Sequence, residues 1–229
     1  MRAAGEQEGA AAGPPPEPVA RFARRFPVLY HATWPEAVPA ILARGLLPAE
    51  ALADLYGLTG AAREAALSED RGRGNFLRLS APGLPDATLR DQWLPEARLA
   101  PALTGSYAGD ARAWRRLINA HAFFWLSKDQ AGRLARADRS RAQVVLAFDA
   151  ASLLARHHAR ASTTPINAGS AFALYGRPAT PRGDGTLRPV AEFPRGDGRA
   201  PKELLVRGGV PDAADHLLAA PQRSDPPPG

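Results

Sequence analysis

The chain has 229 residues, a formal net charge of +6 and a hydrophobic content of 45%. These values are typical of one globular domain with some elaborations, large enough to bury a core without cross-links. The absence of cysteine excludes disulfides and thiolate metal sites and agrees with a reducing compartment. No stretch reaches the roughly 18 apolar residues that span a bilayer, so we expect a cytoplasmic protein with no membrane partner.

The two ends of the chain differ in composition from its middle. Residues 1–20 are mostly Ala, Gly, Pro and Glu, and residues 220–229 are rich in Pro. Such segments bury too little apolar surface to offset chain entropy. We therefore predict two disordered tails around a single domain at 21–219, and the first tail lacks the apolar core of a signal peptide.

The basic residues are almost all arginine, since Lys128 and Lys202 are the only lysines. The planar guanidinium binds phosphate in a two-pronged way that an ammonium cannot match. This bias indicates nucleic acid or a phosphorylated ligand as a partner. An arginine-rich genome would give the same ratio, so the two interpretations stay open.

The apolar patterning predicts helices and strands that alternate at first, followed by several strands close together in the sequence. Strands are predicted at 26–30, 76–79, 122–126, 143–148, 186–193 and 202–207. Helices are predicted at 36–44, 49–56, 61–67, 110–120, from 127 onward, at 149–154 and at 211–218. The late strands follow one another with little helix between them, which predicts an α+β domain with a split antiparallel or mixed sheet and helices packed around it.

Several common catalytic and binding motifs are absent. The chain has no GxGxxG, GxxxxGK[ST], HExxH or GxSxG pattern. The five histidines are not at metal-ligand spacing in the sequence, so no metal site is predicted. The pentapeptide PRGDG occurs at 181–185 and 194–198, and Asp-Gly predicts a turn at each copy.

Four segments, in chain order, carry a resemblance to a known family. LYHAT at 29–33 resembles the first strand of ADP-ribosyltransferases of the poly(ADP-ribose) polymerase and DNA-base-modifying toxin type. ARGLLP at 43–48 is similar to the following segment of the DNA-base transferases and of RNA 2′-phosphotransferases. AFFWLSKDQAGRLA at 122–135 and PKELLVRGGVP at 201–211 resemble the middle strand and helix and the late strand with the catalytic glutamate.

Residues 26–218 as a whole also resemble a bacterial domain family of unknown function. Its members share RDQ, FFWL, SPIN-G-S and an E-L-x-V…VPD pattern, which this chain carries in related form. That family brings no settled activity, so the functional expectation comes from the transferases.

The transferase resemblance implies NAD as a substrate and a set of roles for individual residues. His31 would hydrogen-bond a ribose hydroxyl, the backbone of Ala32 would pair with the nicotinamide amide with support from Thr33, Phe124 or Trp125 would stack on the nicotinamide ring, and Glu203 would be the catalytic carboxylate. The chain departs from the polymerases in having Ala32 in place of Gly and no Tyr in the middle strand.

Three further residues are candidates from their own chemistry. Arg90, within RDQ, is a candidate for the pyrophosphate, and Asn167 and Ser170, within PINAGS, would make polar contacts with NAD or meet the acceptor. Each candidate has a structural alternative: a hydrogen-bonded histidine at a strand end for His31, an ion pair for Arg90 and Glu203, a turn for Asn167 and Ser170, and the core for the aromatic strand.

The resulting prediction is an NAD-dependent mono-ADP-ribosyltransferase with DNA or RNA as acceptor. A toxin-like enzyme of this kind implies an antitoxin or regulatory protein as a partner. The alternatives are an RNA 2′-phosphotransferase-like enzyme and a non-catalytic domain that binds nucleotide or a partner protein.

Overall fold

The chain folds as an α+β domain around a seven-stranded sheet. A computed structural model describes residues 14–72, 74–90, 92–137, 141–171 and 178–223. The sheet has the order β7-β6-β8-β4-β1-β5-β9 with every neighbouring pair antiparallel, and β2 and β3 form a separate hairpin. None of the described helices is both long and apolar enough to cross a bilayer.

The described elements have the following bounds. The helices are α1 Glu17–Arg25, α2 Val38–Arg44, α3 Ala49–Leu55, α4 Gly60–Ser68, α5 Glu96–Leu99, α6 Ala111–Asn119, α7 Lys128–Ala137 and α8 Ala150–His157. The strands are β1 Val28–Thr33, β2 Leu77–Leu79, β3 Ala87–Leu89, β4 His121–Trp125, β5 Val144–Asp149, β6 Ala161–Thr164, β7 Arg188–Pro189, β8 Glu203–Arg207 and β9 Leu217–Arg223.

The sheet has one core on each face. Alternating residues of the central strands, among them Leu29, Phe124 and Leu204, bury in one apolar cluster together with α1, α2 and α8. On the other face Phe123 packs against a second cluster built on Trp114 of α6. The central strands, with the polar side chains that they carry, therefore lie between two packed layers.

Local capping explains where two of the predicted helices begin. The Asp110 side chain accepts a hydrogen bond from the Ala113 N–H at 2.8 Å, and Asp149 accepts one from the Ser152 N–H at 2.6 Å. Each carboxylate satisfies a backbone donor that has no partner inside its helix. Both predicted helix starts are confirmed.

The domain extends beyond the predicted 21–219 at both ends. Helix α1 begins at Glu17, within the segment predicted to be disordered, because Val19 and Phe22 are completely buried. The ring of Phe22 lies 5.0 Å from that of Phe26 and 5.3 Å from that of Phe193. The far end continues as β9, which pairs with the edge of β5. The predicted remainders of the tails, 1–13 and 224–229, lie outside the described residues.

Two predicted late elements are shorter or different. The strand predicted at 186–193 is reduced to β7 and a 3-10 turn at Val190–Glu192. The helix predicted at 211–218 is a 3-10 turn at Ala213–His216 that leads into β9. Backbone pairing with β6 and β5, which side-chain patterning does not encode, decides both segments.

Gly45 ends α2 in a backbone conformation that only glycine adopts readily, with φ 92° and ψ 168°. A Cβ there would lie 2.4 Å from the Pro211 Cα. We expect Gly45→Ala to lower the free energy of unfolding by about 3 kcal/mol or more, from strain and overpacking together. Gly57→Ala is the matched control in urea denaturation, because Gly57 has φ 71° but open space around it, and it should cost about 1–2 kcal/mol. Equal losses would contradict the proposed clash.

Candidate functional site

Three neighbouring strands carry the main candidate residues. Trp125 of β4 is paired with Glu203 of β8 on one side and with Tyr30 of β1 on the other. Thr164 of β6 is in turn paired with Glu203. Directly paired residues project to the same face of a sheet, so these four side chains form one row across its centre.

The hydrogen-bond ladder between β1 and β4 stops immediately beside this row. β1 pairs with β5 along all six of its residues but with β4 only at Tyr30↔Trp125. The next paired positions would be Ala32 and Phe123. Because the Ala150 N–H donates to the Pro27 carbonyl, strand alternation directs the main-chain groups of Ala32 away from β5 and toward β4. No residue of β4 is paired with Ala32.

The imidazole of His31 occupies the interrupted position. Its Nδ1 lies 2.8 Å from the Phe123 carbonyl oxygen, which alternation along β4 directs toward β1. A carbonyl only accepts, so Nδ1 carries the proton and donates. No described residue hydrogen-bonds to Nε2, and that atom is not among the buried polar atoms that lack a partner. Nε2 is therefore the acceptor nitrogen of the ring.

His31 stays neutral across the physiological range. Burial lowers its pKa to about 4, against the opposing effect of the Phe123 hydrogen bond and with a further lowering by the charge of Arg90. A neutral ring with a fixed Nδ1–H keeps Nε2 as an acceptor. This arrangement suits a hydroxyl donor.

Glu203 lies at the start of β8 and is only 2% exposed. Its Oε2 accepts a hydrogen bond from the Ala168 N–H at 3.0 Å. Burial raises the pKa of the carboxyl to about 8, and the Ala168 hydrogen bond, Lys202 and Arg182 oppose that rise. The buried group is therefore mostly a neutral acid at pH 7, covered by the segment that carries Ala168.

The two aromatic candidates of β4 lie in different environments. Phe124 is completely buried, with its ring 5.5 Å from that of Phe148 and 6.2 Å from that of His31. It has no open face for a ligand, so the alternative of stacking by Phe124 is not supported. Trp125 is half-buried in the same row as Glu203, and is the ring that a ligand can reach.

Arg90 lies beside His31 and not beside Glu203. Its Nη1 donates to the Gln143 Oε1 at 3.1 Å, and its guanidinium carbon lies 5.3 Å from the centre of the Trp34 ring. Arg141 contacts the same indole at 4.5 Å. Two cations and an aromatic ring thus lie at the end of β1. The middle residue of the RDQ triplet, at position 91, lies outside the described residues.

The PINAGS segment packs over Glu203 through its main chain. Asn167 is exposed, and its carbonyl accepts from the Ser170 N–H at 3.4 Å. The Ser170 carbonyl accepts from Arg182 at 3.0 Å. Asn167 and Ser170 therefore lie in a turn, and the completely buried Ala168 anchors it in the second core cluster.

The supporting residues of β1 are inside the sheet. Ala32 is 5% exposed and Thr33 is 8% exposed, with Thr33 paired with Val144 of β5. Their side chains are therefore shielded, and only the main chain of Ala32 is directed toward the interrupted ladder.

Residues 27–217 match the model of a family of unknown function, DUF7002. The chain belongs to this family. No curated protein and no solved structure matches it.

The DUF7002 fold brings some of the predicted residues together and separates others. Trp125 and Glu203 share a face, and His31 lies on the adjacent strand, one residue along from Tyr30. Alternation directs the His31 side chain to the face opposite Glu203. The sheet therefore separates the His31 and Glu203 side chains, and a ligand that contacts both would have to pass the β1–β4 interruption.

The DUF7002 chain also contains a cluster that sequence spacing did not indicate. His157, Asp212 and His216 place one ligand atom each within 4.8 Å of one another. His157 and His216 are 59 positions apart, and the fold alone brings α8 to the turn after β8. No local motif signals this contact.

Proposed function

We propose that this protein is an NAD-dependent mono-ADP-ribosyltransferase with nucleic acid as its acceptor. The observation that carries the proposal is the interruption between β1 and β4. There the His31 imidazole, and not the main chain of Ala32, hydrogen-bonds to the Phe123 carbonyl. Beside this position Trp125 of β4 is paired with Glu203 of β8. This is a polar break in the middle of an otherwise paired sheet.

NAD would use the break through three contacts. The His31 Nε2 accepts a hydrogen bond from a ribose hydroxyl, and the main-chain groups of Ala32 pair with the carboxamide of nicotinamide. Trp125 offers a flat face to the pyridine ring. Arg90, at the far end of β1, supplies a charged donor for the pyrophosphate.

Glu203 would act on the ribose. The bond between nicotinamide and C1 of the ribose breaks with its electron pair leaving on nicotinamide, and an oxocarbenium-like centre forms. The acceptor nucleophile bonds to that carbon, and its proton passes to the Glu203 carboxylate. Only the ionised carboxylate can stabilise the cation and take the proton, so the segment at 165–170 must uncover Glu203 before the reaction.

The charge of the chain favours a polyanionic acceptor. The net charge is +6, and arginine makes up almost all the basic residues. Phosphate backbones attract such surfaces in a salt-dependent way without sequence preference. We therefore place DNA or RNA ahead of protein as the acceptor.

The direct test is incubation of the purified protein with isotope-labelled NAD and, separately, single-stranded DNA, duplex DNA, RNA and a protein mixture. We expect release of nicotinamide together with label on one nucleic acid, located by mass spectrometry. Absence of both nicotinamide release and label with all four acceptors would overturn the proposal.

A second candidate is a non-catalytic domain that binds a nucleotide at the same break. The burial of Glu203 and its position on the face opposite His31 favour it. NAD would then raise the midpoint of thermal unfolding, because a ligand of the native state stabilises it, yet no nicotinamide would be released. The same two measurements therefore separate the candidates.

Trp125→Ala should raise the KM for NAD by about tenfold, since stacking contributes up to about 1.4 kcal/mol. Trp125→Phe keeps a ring and should stay within about threefold of the wild type. The measurement is the initial rate of nicotinamide release over a range of NAD concentrations. An unchanged KM in the alanine variant would remove Trp125 from the site.

A further inference from the structure

Three ligand-type side chains meet where α8 contacts the turn after β8, away from the β1–β4 break. His157 Nε2 lies 2.5 Å from Asp212 Oδ1, and His216 Nε2 lies 3.3 Å from Asp212 Oδ2. Both imidazoles are buried, and their rings are 5.7 Å apart at 89°. We propose that His157, Asp212 and His216 bind a divalent metal ion of the zinc class.

The state of His216 is the main reason. Its Nε2 is completely buried and has no hydrogen-bond partner, although Asp212 Oδ2 is close. Its Nδ1 lies 2.7 Å from the Ser152 hydroxyl oxygen. When Nδ1 donates to Ser152, the lone pair on Nε2 and the carboxylate oxygen are two electron donors directed at one space. A cation between them resolves that repulsion, whereas an unsatisfied buried nitrogen costs free energy.

The donor set indicates which metal fits. Two imidazole nitrogens and one carboxylate oxygen suit zinc and its neighbours, and do not suit calcium or magnesium, which prefer all-oxygen sites. Tetrahedral zinc with bonds of about 2.0–2.1 Å holds its ligand atoms roughly 3.3 Å apart. The His216–Asp212 separation already equals that value, and the His157–Asp212 pair has to open by less than an ångström. The two imidazole nitrogens, which lie within 4.8 Å of each other, have to approach by up to about 1.5 Å. A water molecule would complete the fourth position.

The charged groups around the cluster allow a metal ion to bind once Arg160 releases His157. Arg156 Nη1 lies 2.9 Å from both Asp212 Oδ2 and Asp215 Oδ2 and is exposed to solvent. Arg160 Nη2 donates to His157 Nδ1 at 2.9 Å, which a metal at Nε2 would forbid because Nδ1 must then carry the proton. Arg160 is also exposed, and its Nη1 keeps the carbonyls of Arg207 and Gly209 as acceptors. Its displacement therefore leaves it partnered.

The metal would tie α8 to the start of β9. His157 is the last residue of α8, and His216 immediately precedes the first residue of β9. A metal across these elements links the sheet edge to the helix that packs under it. This inference does not rest on the proposed transferase activity.

The test uses the full chain, stripped with EDTA and titrated with ZnCl₂ in a calorimeter. We expect one equivalent to bind. Asp212→Asn and His216→Gln should each weaken binding by at least about a hundredfold, beyond what loss of a supporting group costs. His158→Gln is the matched control, because its Nδ1 lies 3.0 Å from the Leu154 carbonyl oxygen and it is not part of the cluster, and it should bind zinc as the wild type does.

Zinc X-ray absorption on the wild type provides a measurement that needs no variant. Two imidazole ligands with nitrogens at about 2.0–2.1 Å would support the site. Failure of the wild type to bind zinc, an absorption spectrum without imidazole, or an equal loss in the His158→Gln variant would each overturn the inference.

Discussion

Replacing Glu203 by Gln should slow nicotinamide release by two to three orders of magnitude while leaving the KM for NAD within a few-fold. The amide keeps the shape and the Ala168 contact but cannot stabilise an oxocarbenium-like centre with a negative charge. Loss of one preorganised electrostatic partner typically costs about 3–4 kcal/mol of transition-state stabilisation. Single-turnover rates at saturating NAD are the appropriate measurement.

Glu192→Gln is the control for that experiment, because this carboxylate is exposed and lies 4.0 Å from Arg188. It should leave the rate unchanged. A Glu203→Gln variant that released nicotinamide at the rate of the wild type would exclude Glu203 from catalysis and would favour the binding domain.

The same substitution should make the protein more stable, increasingly so as pH rises. The ordinary pKa of a glutamate is 4.5, and burial raises that of Glu203 to about 8. Between these values the folded chain holds a proton that the unfolded chain has lost, so the contribution of Glu203 to stability is present below pH 4.5 and is lost as pH rises through 8. Glutamine resembles the neutral acid at every pH.

The expected difference follows from about 1.4 kcal/mol per pH unit. From pH 5 to pH 8 the free energy of unfolding of the wild type should fall by about 4 kcal/mol relative to the Gln variant. Urea denaturation of both proteins at pH 5, 7 and 9 measures this, because the other titrating groups are common to both. A difference that stays constant with pH would show that Glu203 is ionised and paired in the native state.

A variant that is both slower and more stable would show that the site is held at the expense of stability. Burying a carboxyl is unfavourable when the cations near it, here Lys202 and Arg182, do not offset the loss of water, and such groups cluster at functional sites. A glutamate that is ionised and paired in the native state would show the opposite result, since the neutral amide keeps the Ala168 hydrogen bond but loses the ion pair.

Much of the central sheet could be predicted from sequence. The apolar runs that became β4 and β8 have the pattern of buried strands, and the carboxylates of Asp110 and Asp149 define helix starts by local chemistry. These features depend on residues within a few positions of one another. The resemblance then directed attention to His31, Trp125 and Glu203, which the fold places on three adjacent strands.

The features that escaped prediction all depend on distant contacts. β9 is a strand because β5 offers an unpaired edge, and α1 is ordered because Phe22 meets Phe193. The interruption at His31 requires the register of two strands, and the His157–Asp212–His216 cluster requires the packing of α8 on a late turn. Side-chain patterning within one segment contains none of this information.

The position of β8 has a consequence for synthesis. It lies between β6 and β4 in space, yet among the described strands only β9 follows it in the chain. On a ribosome, the two halves of the sheet stay unjoined until residue 207 has left the exit tunnel, because non-local pairing waits for its most distant partner. The carboxylate proposed to do the chemistry is thus delivered long after the imidazole, and a product that ends before residue 203 carries the imidazole without it.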